Sequence, residues 1–138
     1  MAEDIVDKSI DVAGLKKVHC ITEKIKIHGS GNTGSVYGTD DERINELIQK
    51  EPLLNKKLDD RFSYTEAHVI WSVREEMAVT VEDVLARRLR ILFLNAQAAI
   101  DLAPRVASLI AMELNHGEYW IQNQIKAFGL LAQNYAIK

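Results

Sequence analysis

Apolar residues along this chain recur at three- and four-residue intervals from Thr39 almost to the end, the spacing of helices that bury one face. Thr39 or Asp40 can cap a first such helix running to about Glu51, with Ile44, Leu47 and Ile48 inward and Pro52 as the break. Leu53, Leu54 and Leu58 suggest a short helical turn. Ser63 or Thr65 opens the next helix, with Val69, Ile70, Val73 and Met77 on one face. Residues 79–99 read as one helix, opened by Thr80 and by Asp83 three residues on, an approximate capping box. Pro104 suits the first turn of a further helix, with Gly117 as its stop. The last helix carries Trp120, Ile121, Ile125, Phe128, Leu131 and Ala132.

Ahead of Thr39 the pattern changes. Residues 3–13 have helical spacing at Ile5, Val6, Ile10 and Ala13, with Gly14 as a stop. Val18 to Ile27 shows some alternation, as a short strand or extended segment does. Glycines at 29, 31, 34 and 38 then mark an exposed loop. The expectation is an all-α fold: an antiparallel bundle of about five to six helices joined by short connections. Two regions are expected, 1–38 with a helix and an extended, Gly-rich connection, and 39–138 as the helical domain.

The 138 residues, 47% hydrophobic and 27% charged, suffice for one globular core and argue against extended disorder. The formal net charge of −3, with bases interleaved among acids, argues against nucleic acid as a partner. The single cysteine, Cys20, excludes an intrachain disulfide and a Cys-rich zinc site, and a reducing, cytoplasmic compartment is the default expectation. No apolar run approaches the ~20 residues of a membrane span. The acidic start, MAEDIVDKSI, does not read as a signal peptide.

One residue breaks the apolar pattern. On a wheel at about 100° per residue, Val81, Val84, Leu85, Leu92, Ala96 and Ala99 share a face, and Arg88 falls near its middle. Arg87 and Arg90 point away. On the preceding helix, Glu66 lies close to the apolar stripe and Glu76 at its edge. A buried guanidinium needs a hydrogen-bonded acid. Arg88 is therefore expected between the two helices, paired with Glu66 or Glu76.

Other candidate chemistry is thin. Gly29, Gly31 and Gly34 have the GxGxxG spacing, but the Walker lysine is missing and the passage from strand to helix is out of register. His19, His28, His68 and His116 are scattered, with none in a metal-binding helical register, so no metal ligand is assigned. His19 adjoins Cys20, but neighbours on an extended segment face opposite ways, which leaves the thiol without a base. Trp71 and Trp120 read as packing anchors. No catalytic, cofactor-binding or metal residue is expected here.

The stretch Tyr64 to Leu114 carries YTEA, Trp71, VREEMA, TVEDVLARR and LFL, and in these motifs it resembles the C-terminal region of the FAD-dependent glycerol-3-phosphate dehydrogenases. In that family this portion is a helical cap after the flavin domain. The tail YWIQNQIKAFGLLAQNYAI is similar to the family's last helix, and MAEDIVDKSI resembles the end of the last helix of its flavin-binding domain. Many family members carry an aspartate where Asn95 stands and a threonine where Leu89 stands. The missing aspartate shifts the expected pairing of Arg88 towards Glu66 and Glu76.

The resemblance implies a longer parent enzyme that oxidises sn-glycerol 3-phosphate to dihydroxyacetone phosphate, with FAD as its cofactor and a quinone as onward acceptor. It further implies an upstream flavin domain as this domain's intramolecular partner and peripheral association of the parent with the inner face of the plasma membrane. FAD is expected in the parent and not in this stretch, whose residues match none of the family's cofactor or substrate contacts. If residues 1–13 close the flavin domain of the parent, that segment is expected here to be more mobile than the helices after Thr39 or to pair with another copy in a homodimer. The contrasting expectation is a stand-alone helical interaction module without enzymatic activity.

Overall fold

The structure, a computed structural model, describes residues 2–27 and 36–136, and these contain helices and no β-strand beyond one isolated bridge between Lys57 and Thr65. The expected Gly-rich loop at Gly29, Gly31 and Gly34 lies outside the described residues. The chain divides into two compact units, 1–40 and 41–138.

In the first unit, α1 spans Ala2–Ala13 and buries none of its residues. It ends where Gly14 takes φ +63°, a left-handed conformation that a side chain would strain. Of the two alternatives at Val18 to Ile27, a short strand or an extended segment, no strand forms: the segment is irregular and holds one 3-10 turn, Thr22–Lys24. Among the described residues no strand lies beside it to complete a ladder.

The second unit is built on α5, Ala96–Leu114, which packs against α3, Glu66–Glu75, against α4, Ile91–Leu94, and against α6, Glu118–Ala132. The remaining regular helix, α2, is Asp40–Lys50, and Pro52 opens a 3-10 turn to Asn55. Ala98, Ala99, Ala103, Val106, Ala107 and Ile110 of α5 are all buried. So many alanines leave little side chain between helix axes, so neighbours approach closely. Leu85, Leu89, Ile91 and Leu92 join them in the core.

Two sequence expectations fail here. Residues 79–99 are not one helix. Asp83–Arg88 is a π-helical turn, in which the Leu89 N–H donates to Val84 O at 2.8 Å, five residues back. Arg90 then turns left-handed at φ 57°, and α4 is a separate short helix. A 100° wheel loses register across a π turn. It therefore missed Leu89, which is fully buried. Pro104 also does not begin a helix. It sits inside α5, which starts at Asn95, where the side-chain oxygen accepts from Ala98 N–H at 2.9 Å. That cap satisfies one of the free N–H groups at the helix start.

Two ends also differ. Asn115, left-handed at φ 57°, terminates α5, and Gly117 instead precedes α6 as its N-cap. Met77, expected inward, is 85% exposed, because α3 stops at Glu75 and Met77 turns left-handed at φ 56°. The Thr80 and Asp83 cap does form: Thr80 N–H donates to Asp83 Oδ2 at 3.0 Å, and Asp83 N–H to Thr80 Oγ1 at 3.1 Å.

If this core holds the domain together, Leu85→Ala should destabilise it by about 3 kcal/mol. Leu53→Ala, at a side chain 90% exposed, should change stability by less than about 0.5 kcal/mol. Urea unfolding of the two variants beside the parent chain measures both.

Candidate functional site

The polar chemistry of the helical unit gathers around its arginines. The deepest charge is Glu66, the first residue of α3, whose residue surface is only 3% exposed. Its position suits a carboxylate, because the positive end of the helix dipole lies there. Its partner is Arg105 of α5. Arg105 Nε donates to Glu66 Oε1 at 2.8 Å and Nη2 donates to Oε2 at 2.6 Å, a two-pronged pair. The bond to Glu66 raises the guanidinium's pKa despite partial burial.

Arg88 has a different neighbour. Its Nε lies 3.4 Å from Glu76 Oε2, without hydrogen-bond geometry, and its Nη2 donates to the Glu76 backbone carbonyl. Its side chain is 34% exposed. The expectation of a buried Arg88 paired with Glu66 or Glu76 is therefore divided. Glu76 is the contact, Glu66 is taken by Arg105, and Arg88 sits at the rim. The π turn rotates Arg88 off the apolar face and leaves that place to Leu89. Its bond to the Glu76 carbonyl holds the end of α3 against the last residue of the π turn.

Arg74 forms a third node. Its Nε and Nη2 donate to Glu113 of α5 at 2.7 and 2.8 Å, and its Nη1 donates to Glu51, just past α2, at 2.9 Å. Arg43 lies over the Trp71 ring, 4.8 Å from its centre, and its Nη2 bonds Glu75 at 3.3 Å. The pocket of about 230 Å³ beside them is lined by Arg43, Lys50 and Arg74 and by Glu46, Glu51 and Glu75, so its charges balance. Nothing in that balance selects a ligand of either sign.

The π turn carries its own electrostatic clamp. Burial pushes the Asp83 carboxyl up, but the Thr80 hydroxyl, the N–H groups of Val79 and Thr80 and the charge of Arg87 outweigh it and hold the pKa below the usual carboxylate value. From α6, Gln124 Oε1 accepts from Val81 N–H at 3.1 Å.

The remaining candidates stay apart. Cys20 is exposed and contacts Thr22 Oγ1 at 2.9 Å. His19 is exposed and His28 lies outside the described residues. His116 stacks on Trp120 with ring centres 4.6 Å apart. His68 Nδ1 is bound by Thr65. Trp71 is buried, and its indole N–H has no hydrogen-bond partner among the described residues. Among those residues no group of three or more His, Cys, Asp or Glu could hold a metal ion. Among the described residues no helix is long and apolar enough to cross a membrane.

The class these features define is an all-α domain whose arginines act as cross-links between helices. The family described as the C-terminal domain of alpha-glycerophosphate oxidase matches residues 34–120, and the chain belongs to that family. The chain is similar to the probable mitochondrial glycerol-3-phosphate dehydrogenase of Caenorhabditis elegans, at 30% identity over 83% of this chain and 19% of that protein. The mitochondrial glycerol-3-phosphate dehydrogenase of Mesocricetus auratus is 29% identical over 91% of this chain and 21% of its own length. That of Homo sapiens is 39% identical over 54% of this chain and 10% of its own. The chain thus spans about a fifth of the length of the first two relatives. No solved structure matches it.

Removing one partner of a buried pair strands the other charge. Arg105→Ala should therefore destabilise the domain by about 2 to 3 kcal/mol, part of the penalty being relieved by water that already reaches Arg105. Arg88→Ala should cost about 1 to 2 kcal/mol through the lost bond to the Glu76 carbonyl. Arg87→Ala, at an exposed pair, should cost the least of the three. Denaturant titration of the three variants tests the order.

Proposed function

We propose that this chain is the non-catalytic C-terminal cap of an FAD-dependent glycerol-3-phosphate dehydrogenase. The observation that carries the reading is the family match over residues 34–120. The relatives' far greater length supports a second region that performs the chemistry. The reaction proposed for the whole enzyme is the two-electron oxidation of sn-glycerol 3-phosphate to dihydroxyacetone phosphate. FAD accepts the hydride in that scheme, and the electrons pass on to a quinone at a membrane surface that the enzyme visits peripherally.

No residue described here is assigned to the flavin. The pocket beside Trp71 is occupied by mutually paired acids and bases, and a flavin's fused apolar ring system has no matching apolar slot there. The cap's part in the enzyme is to be a rigid body. Arg74, Arg88 and Arg105 each tie two segments of it together. Its intramolecular partner in this proposal is a flavin domain preceding it, in a cytoplasmic setting with access to the inner face of the membrane.

A second reading, a stand-alone helical module that binds another protein, draws on the exposed Ile5, Val6 and Val12 of α1. The two readings separate at the gene. An in-frame region upstream encoding a GxGxxG flavin fold supports the cap, and a stop codon there supports the module.

The purified chain should show no oxidation of glycerol 3-phosphate with or without added FAD, and no stoichiometric visible flavin absorption. Dye-reduction assays and absorbance after gel filtration check this. Turnover by the chain alone would overturn the assignment of a non-catalytic part.

A further inference from the structure

The N-terminus of α3 is closed by a histidine. His68 is the third residue of the helix, and its Nδ1 accepts from the Thr65 backbone N–H at 3.0 Å. Thr65 Oγ1 lies at the same 3.0 Å distance from that nitrogen. A ring nitrogen can accept an N–H only when it carries no proton. The contact therefore requires the neutral ring with its proton on Nε2. A glutamate at this position would make the same reciprocal cap and keep it at neutral pH. A histidine makes it conditional on pH.

The contact has structural consequences beyond α3. Thr65 ends a loop that folds back on itself from Lys56. Glu66 N–H donates to Lys56 O at 2.9 Å and Leu58 N–H to Tyr64 O at 3.1 Å, and Lys57 bridges to Thr65. Glu66, whose N–H closes this loop, is 3% exposed and is paired with Arg105. Opening the loop would bring water to that carboxylate.

We propose that His68 is an acid-released latch: protonation of Nδ1 frees the Thr65 N–H, frays the start of α3 and opens the loop 56–65 over Glu66. The protonated ring can keep Thr65 Oγ1 as an acceptor, but it must let the backbone N–H go.

The surroundings keep the latch closed at neutral pH. Burial lowers the imidazole's pKa, and the Asp41 carboxylate opposes this only in part. From α2 the facing charge is Asp41, and from the loop the facing group is Tyr64, whose ring meets His68 edge-on at 5.5 Å. Glu66 on α3 and Arg105 of α5 neutralise each other. The helix dipole at this end also disfavours a cation. The folded-state pKa is depressed, so the unfolded chain takes the proton first. The contribution of His68 is thus whole above the unfolded value of about 6.5 and is lost as pH falls below it.

Amide exchange of the full chain at about pH 7.5 and about pH 5, corrected for intrinsic rates, reads the latch directly. Protection at Leu58 and Glu66 should fall about tenfold or more at the lower pH, one pKa unit of coupling being a tenfold change, while α5 amides hold. His68→Gln, whose amide oxygen accepts and does not titrate, should abolish the pH dependence. In the parent chain, the His68 ring-proton titration should lie below the ordinary imidazole value and share its midpoint with the loop's opening. PH-independent protection, an equal loss in His68→Gln, or midpoints that do not coincide would each overturn the proposal. The last comparison stands even if the variant does not fold.

Discussion

A carboxylate taken out of water has to be given a partner, and in this domain that obligation falls on Arg105. Glu66 begins α3 at a point where the helix is already against α5. Its two oxygens are both engaged by one guanidinium from 39 residues further along the chain. Such a pair need not add net stability, since desolvation offsets much of the attraction. It does select geometry. Only one rotation and one height of α3 on α5 present both oxygens to the fork.

The other two arginines extend that logic to the neighbouring elements. Arg74 draws the segment after α2 and the C-terminal part of α5 together across α3. Arg88 ties the end of α3 to the π turn by a backbone carbonyl. The π turn in turn makes room for Leu89 in the core and is held at its start by Asp83 and by Gln124 of α6. A body cross-linked in this way suits the role of rigid cap proposed above.

The helices and their inward faces were legible because burial repeats at the helical period: Ile44, Val69, Ile70 and Phe128 sit where the pattern puts them. The boundary at Leu89 to Asn95 was not. A π turn is defined by a bond five residues back, and no side chain in VLARRL announces it. The Asn95 cap was visible in principle, an asparagine before an alanine-rich run, but Pro104 offered a competing start. Arg105 was missed for the same reason. Counted from Asn95 it falls three residues after Leu102 and four before Leu109, both buried. An arginine in an apolar stripe was the clue followed at Arg88, and it was equally present in α5. Choosing between Arg88 and Arg105 as the partner of Glu66 takes the docking of two helices, which periodicity along one chain does not contain.

The claim that Glu66 and Arg105 together set how α3 meets α5 is tested most directly by a double-mutant cycle. The cycle compares Glu66→Gln, Arg105→Met and the double variant by equilibrium unfolding. The account predicts a coupling of about 2 kcal/mol, with the double variant more stable than the sum of the single losses requires. Single losses that add within about 0.3 kcal/mol would contradict it.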